Sequence, residues 1–261
     1  MKVVLFCGGQ GLRLRDYSEN IPKPMVPIGY RPILWHLMKY YAHYGHREFI
    51  LCLGYKADVI KEYFLNYNEA VSNDFVLSKG GRELKLLGSD TSDWKITFVD
   101  TGMESNIGMR LRAVRDYLEG DELFLANYAD NLTDAPLPPM IDHLTKQPDK
   151  VASFITVNPT QSFHVVKITS GEVEQICPAA DCGIAINGGF FVLRNQIFDY
   201  LQAGEELVVQ PFQRLIAEKR LTTFRHEGFW ACMDTFKEKQ VLEDLYQRGR
   251  SPWEVWKRKS A

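Results

Sequence analysis

Three groups of residues in this chain of 261 have types and spacings that could do chemistry. The first is Gly8-Gly9-Gln10-Gly11-Leu12-Arg13, three glycines in four residues directly after the apolar run Lys2 to Cys7. A backbone that free to curl can point several N–H groups at one anion. Arg13 and Arg15 add charge at its edge, and Lys23 follows, held between Pro22 and Pro24 so that its ammonium group is aimed. The second group is Asp130 and Asp234, one after the apolar run 122–127 and the other before the last helical stretch. The third is Arg110, Arg112 and Arg115 behind Ser105-Asn106-Ile107-Gly108. Cations at a helix start oppose its dipole and invite an anion. Together these read as a polyphosphate cradle with converging cations and a carboxylate placed as a magnesium ligand beside it. Plain readings stand next to these. The glycine run has neither G-x-G-x-x-G spacing nor a G-K-[ST] ending, so it could be only a turn. Asp130 could be a turn former, Asp234 a helix N-cap and the arginines a solvated face.

The elements that must hold these residues alternate. Residues 2–7 read as a buried strand, 33–44 as a helix with Leu34, Leu37, Met38 and Tyr41 on one face, 49–53 as a strand and 58–66 as a helix. Residues 95–99 and 122–127 resume the strands, with a helix starting near Met109 between them. This rhythm predicts an α/β fold, a doubly wound and mostly parallel sheet in one domain spanning 1–261. Ligands of such sheets bind beyond the carboxyl ends of the strands, where Gly8 and Asp130 fall. Residues 68–95 interrupt the rhythm with Asn73, Gly80-Gly81 and Gly88-Ser89, and 75–77 and 84–87 could be hairpin strands of a small insertion. Beyond residue 150 the chain turns strand-rich (151–157, 164–168, 186–193), then adds helices at 195–201 and 206–219, a strand at 221–225 and a helix at 236–248. Asn187-Gly188-Gly189 inside a strand lets a ligand approach the backbone.

Bulk properties narrow the classes. Hydrophobic content of 45% and 25% charged residues are ordinary globular values. A net charge of −2 gives no general attraction to nucleic acid or to an anionic membrane. No apolar run is long enough to span a bilayer, and the start has no leader pattern, which points to the cytoplasm. The five cysteines (7, 52, 177, 182, 232) are odd in number and mostly in apolar surroundings. They read as reduced thiols rather than a disulfide framework or a zinc site.

The glycine run with Pro22-Lys23-Pro24-Met25 resembles the opening signature of the sugar-1-phosphate nucleotidylyltransferases. The resemblance continues through Pro32-Ile33-Leu34-Trp35-His36, Gly54-Tyr55-Lys56, Ile60-Lys61-Glu62-Tyr63-Phe64 and Val99-Asp100-Thr101-Gly102. Ile186-Asn187-Gly188-Gly189-Phe190-Phe191-Val192, Gly228-Phe229-Trp230 and Met233-Asp234-Thr235 extend it along nearly the whole chain, nearest to the glucose-1-phosphate cytidylyltransferases of that family. It implies transfer of a nucleotidyl group from CTP to a glucose 1-phosphate-like sugar 1-phosphate, with release of pyrophosphate. Arg13, Lys23, Asp130 and Asp234 would be catalytic, the two aspartates holding Mg2+. Cys7, Gly8, Gly9, Gln10, Gly11, Leu12, Ser105, Gly108 and Arg110 would contact the nucleotide, and His164, Asn187 and Gly188 the acceptor. It also implies a homo-oligomer that the 68–95 insertion helps to build. This sequence departs from the family pattern in places: Leu12 stands for a threonine, and Ala129 and Asn131 flank Asp130 in place of glycines. Gln175-Ile176-Cys177-Pro178 replaces a Glu-Lys-Pro stretch whose lysine grips the sugar phosphate, and Gln161-Ser162-Phe163-His164 replaces a glycine turn against the sugar. His164, Lys167 or Lys150 could restore the lost charge. The departures keep two alternatives open: a different phosphorylated acceptor, or a catalytically silent nucleotide-binding regulatory subunit.

Overall fold

A computed structural model describes residues 1–9, 21–160 and 163–257. Its frame is a seven-stranded sheet. In chain order the strands are β1 (Lys2–Phe6), β2 (Glu48–Leu53), β3 (Lys95–Asp100), β4 (Leu123–Asn127), β5 (Ala152–Val157), β6 (Ile186–Arg194) and β7 (Leu221–Arg225). Their spatial order is β7-β5-β6-β4-β1-β2-β3. β1 pairs in parallel with β2 on one side and β4 on the other, and β2 with β3 and β5 with β7 are also parallel. Only β6 runs against its neighbours in this sheet. The expected doubly wound, mostly parallel α/β architecture is what the chain forms.

The strands alternate side chains between two apolar layers. Val3, Leu5 and Cys7 pack with α1 (Ile33–His43), α2 (Ala57–Leu65), α4 (Leu137–Thr145) and α6 (Phe236–Gln247). Val4 and Phe6 pack on the other face with α3 (Ile107–Ala113) and α5 (Gln210–Ala217). Each fully buried leucine or phenylalanine contributes about 1.5–3 kcal/mol, so the sheet is rigid and its carboxyl edge is a fixed platform. No helix among the described residues is long and apolar enough to cross a membrane.

Four small two-stranded units stand off this frame among the described residues, the shortest pairing Pro27–Ile28 with Arg31–Pro32. Phe75–Ser78 with Glu83–Leu86 is the expected insertion hairpin. His164–Thr169 with Glu172–Pro178 is a second hairpin, whose return strand the sequence did not announce. Asn131–Thr133 with Trp230–Cys232 is a three-residue ribbon beyond the end of β4. One expectation is corrected here. Cys177 and Cys182 form a disulfide, with Cα atoms 5.9 Å apart, while Cys7, Cys52 and Cys232 are free. The tight turn Ala179–Asp181 folds the chain back at the hairpin's end and brings the two sulfurs into bonding geometry. The expected helix 195–201 is a 3-10 helix over Asn195–Tyr200, and the one expected from 206 starts only at Gln210, where Pro211 can occupy the first turn.

Candidate active site

The switch in winding direction lies between β1 and β4, and the loops after β1, β2 and β4 meet at the carboxyl edge there. Lys23 enters on a 3-10 turn, Lys23–Met25, closed by Met25 N–H to Pro22 O at 2.8 Å. Pro24 and Met25 are buried, so the turn is anchored and the lysine aimed. Asp130 follows β4 through a backbone kink: Ala129 has φ +65°, and Asn127 Oδ1 accepts the Ala129 N–H at 2.9 Å. That left-handed conformation suits glycine and costs an alanine about 1–2 kcal/mol. Asp234 lies two residues beyond the strand Trp230–Cys232, beside the N-cap Thr235 of α6, whose Oγ1 and Glu238 form a capping box. Asp234 is therefore not itself the cap; its own N–H donates to Glu238 Oε2 at 2.8 Å.

The three side chains meet. Lys23 Nζ lies 2.6 Å from Asp130 Oδ2 and 2.5 Å from Asp234 Oδ1. Burial opposes the lysine's charge, but the two carboxylates outweigh it and its pKa is raised, so it stays an ammonium ion. Burial raises the Asp130 pKa more than Lys23 lowers it, and the Asp234 charge pushes the same way. Two carboxylates around one ammonium leave a surplus negative charge in a partly buried site. Such a pair seeks a further cation, and hard carboxylate oxygens suit Mg2+. Among the described residues no group of three His, Cys, Asp or Glu side chains could hold a metal ion. A two-carboxylate set fits an ion that keeps waters and takes substrate phosphates as its remaining ligands.

The other expected contacts divide. Gln10, Gly11, Leu12 and Arg13 lie outside the described residues. Gly9 is exposed and a Cβ there would meet nothing within 4 Å, leaving its backbone open to a ligand. Ser105 Oγ, half-buried, donates to Thr101 O at 2.5 Å.

Four of the positions that the resemblance implies as nucleotide contacts have packing or hydrogen-bonding roles of their own. The Cys7 side chain is sealed in the core and its backbone N–H is spent on Cys52 O. Gly108 is a packing glycine, since a Cβ would sit 2.1 Å from Glu205 O. Arg110 is 2% exposed, and its guanidinium faces backbone rather than ligand. It donates to Leu53 O at 3.0 Å, Thr101 Oγ1 at 2.7 Å, Gly102 O at 3.0 Å, Gly8 O at 2.9 Å and Met103 O at 3.4 Å. It stitches together the chain beyond the ends of three strands by donating to their carbonyls. Gly8 is a glycine for the same reason: a Cβ there would meet Arg110 Nη1 at 2.0 Å.

On the acceptor side, His164 is exposed on its hairpin, opposite Pro178. Asn187 Nδ2 donates to Tyr128 OH at 3.1 Å and its Oδ1 accepts the Gly189 N–H, so both ends of the amide are engaged. Gly188 accepts from Trp230 Nε1 at 2.8 Å, and a Cβ would meet Ile155 Cγ2 at 2.8 Å. This glycine too is set by packing. Lys167 pairs with Glu174, and Lys150 sits at the opposite end of β5 against Lys219 O. Sequence reasoning missed the ribbon Asn131–Thr133/Trp230–Cys232, which brings Asp130 and Asp234 together although 104 positions separate them in the chain.

A family model described as "Nucleotidyl transferase" matches residues 2–235. The chain belongs to that family. This nucleotidyltransferase is 38% identical over 259 residues to a Bacillus subtilis protein described as "Probable glucose-1-phosphate cytidylyltransferase", covering 98% of this chain and all of that one. It is 39% identical, with the same coverage, to the glucose-1-phosphate cytidylyltransferase of Salmonella typhimurium. Among solved structures, a UDP-glucose pyrophosphorylase complexed with UDP-glucose superposes with a TM-score of 0.70 at 17% identity, covering 95% of this chain and 99% of that one. That likeness establishes the fold. The nucleotidyltransferase is thus an enzyme whose fold and family agree with the cluster of Lys23, Asp130 and Asp234.

Proposed function

We propose that this nucleotidyltransferase joins CTP to a sugar 1-phosphate, with glucose 1-phosphate as the first acceptor to test, and releases pyrophosphate. The observation that carries the proposal is Lys23 Nζ held between the Asp130 and Asp234 carboxylates at the carboxyl edge of the sheet. The names of the full-length relatives support the choice of substrates. The acceptor's phosphate oxygen forms a bond to the α-phosphorus, the bond from that phosphorus to the β-phosphate oxygen breaks, and its electron pair leaves with pyrophosphate. A phosphate monoester is already nucleophilic at neutral pH, so no general base is needed. The protein must supply alignment and charge cancellation.

Lys23, stiffened by its prolines, donates to the α-phosphate, and Gly9 leaves room for the phosphate chain. Arg13 holds the leaving pyrophosphate. Asp130 and Asp234 would hold Mg2+, which when bound supplies Lewis-acid neutralisation of the phosphate charge. The reading places the reaction in the cytoplasm. The exposed apolar side chains of the insertion hairpin, Leu77 and Leu84 among them, favour a homo-oligomer that buries them.

A second acceptor class is favoured by one observation. Cys177, where the family resemblance calls for a phosphate-gripping lysine, is tied up in a disulfide. The test for both readings is magnesium-dependent pyrophosphate release with each ribonucleoside triphosphate and dTTP, in the presence of glucose 1-phosphate. Release with CTP establishes the first reading. CTP binding by calorimetry without release establishes a different acceptor when other sugar phosphates restore turnover, and a silent regulatory subunit when none does. Absence of any nucleotide binding overturns both.

A further inference from the structure

The two carboxylates of the site are bridged by Lys23 and come from segments that the short ribbon joins. A two-stranded ribbon of three residues a side is marginal by itself, so something must brace it. At its near end Met233 N–H donates to Asp130 O at 2.9 Å. At its far end Asp134 Oδ1 accepts the Phe229 N–H at 2.8 Å and His226 Nε2 lies 3.0 Å from the same oxygen. Phe229 O in turn accepts from Thr133 Oγ1 at 2.8 Å and from Asp134 N–H at 3.2 Å. The His226 N–H donates to Thr156 O at 2.9 Å, which fastens this corner to β5. Both groups near His226 Nε2, the Asp134 carboxylate and Phe229 O at 3.3 Å, are acceptors, so Nε2 carries a proton. Side-chain exposures of 11% for His226 and 20% for Asp134 keep water largely out of the contact. Gly228 belongs to the same device. A Cβ there would meet His226 Cε1 at 2.5 Å and Asp134 Oδ1 at 2.6 Å, so this glycine leaves room for the brace, not for substrate.

We infer that Asp134 and His226 are a positioning pair that fixes the spacing of Asp130 and Asp234 and so sets how tightly the site holds a divalent cation. Neither touches the reacting atoms. The pair acts through the ribbon, as outer-shell partners of metal ligands do, where substitutions typically change metal affinity 10- to 100-fold. The inference rests on the reading of Asp130 and Asp234 as metal ligands.

The test is a titration of the purified full chain with Mn2+ alone, free Mn2+ being read by electron paramagnetic resonance, beside a thermal unfolding curve. Wild type, His226→Ala, His226→Gln and Asp134→Asn are compared. His226→Ala and Asp134→Asn are expected to weaken Mn2+ binding about 10-fold. His226→Gln, whose Nε2 can reach the same carboxylate, should recover most of the loss. Unchanged Mn2+ affinity in folded His226→Ala and Asp134→Asn, whatever their melting temperatures, overturns the pair's role while leaving the metal site standing. Should His226→Ala fail to fold, the contrast of His226→Gln with Asp134→Asn decides the matter in the same way. No Mn2+ bound by the wild type, either alone or with CTP present beyond what CTP binds by itself, overturns the ligand reading and the inference with it.

Discussion

The contact between Gly8 and Arg110 makes a prediction that separates two reasons for a glycine. In Gly8→Ala the new methyl would fall 2.0, 2.4 and 2.8 Å from Arg110 Nη1, Cζ and Nη2. The guanidinium cannot step aside, because four carbonyls and a hydroxyl hold it. Overpacking of this kind costs about 1–3 kcal/mol, and the displaced donors add to it, so about 3 kcal/mol is expected. Arg110→Ala removes the obstacle at its own cost. Leu53 O keeps donors from Thr101, and Gly8 O keeps the Tyr55 N–H. Gly102 O and Met103 O lose the donors that Arg110 gave them, but both residues are exposed and water can take the donors' place, so each loss costs about 0.5–1.5 kcal/mol. In the double variant the alanine methyl fills part of the space that the arginine left. Urea unfolding of the four proteins in a cycle should therefore show strong non-additivity, with Gly8→Ala costing at least ~1.5 kcal/mol less in the Arg110→Ala background. Additive losses would refute the packing reason. A Gly8→Ala protein of wild-type stability that has lost nucleotide binding would show instead that the glycine serves the ligand.

Three further outcomes are expected. Lys23→Ala should lose about 10²-fold or more in turnover, and without divalent cation it should also melt earlier, with Mg2+ restoring part of the loss because a cation again stands between the carboxylates; unchanged turnover would remove Lys23 from the chemistry. His36 is 1% exposed, donates from Nε2 to Ile28 O at 3.0 Å and accepts the Trp253 Nε1 proton on Nδ1 at 3.3 Å, and burial pulls its pKa from 6.5 to about 4. The unfolded chain therefore takes up a proton first as pH falls, and about 3 kcal/mol of stability should be lost between pH 6.5 and 4; a pH series of urea midpoints in which His36→Gln falls as steeply as wild type would contradict this. Finally, the denatured chain should show three reactive thiols without reductant and five after reduction, and Cys182→Ser should cost about 2 kcal/mol from the lost short-loop cross-link. Five thiols without reductant would rule the bridge out.

Much of the frame was legible because its signals are local. β1, β2 and β4 announce themselves as short apolar runs, α1 by its 3.6-residue stripe, and Asp130 as a carboxylate after a strand, while the left-handed turn at Ala129 was not legible. Lys23, Asp130 and Asp234 were marked by residue type and resemblance, and the fold brings each carboxylate within 2.6 Å of the lysine Nζ. What escaped was non-local. β6 is buried on both faces, so Ile186–Arg194 reads alike in either direction and its reversal is invisible. The Asn131–Thr133 ribbon is too short to show a period. The charge of Arg110 was plain, but the carbonyls it answers come from three other places in the chain, and the residues beside it do not reveal them. The disulfide depends on a turn at 179–181 that cysteine spacing alone does not fix.

The wide separation of the active groups also bears on how the molecule is made. Lys23 meets partners 107 and 211 residues further along. During synthesis at about 5–20 residues per second, the glycine turn leaves the ribosome at least ~10 s before Asp234 is joined to the chain. A nascent chain can lay β1 beside β2 and later β4, yet Asp130 has no second carboxylate until the ribbon's far strand arrives. Contacts of such span also slow folding. The cluster of Lys23, Asp130 and Asp234 is thus among the last features to form, and nascent chains that have not reached residue 234 lack one of its two carboxylates.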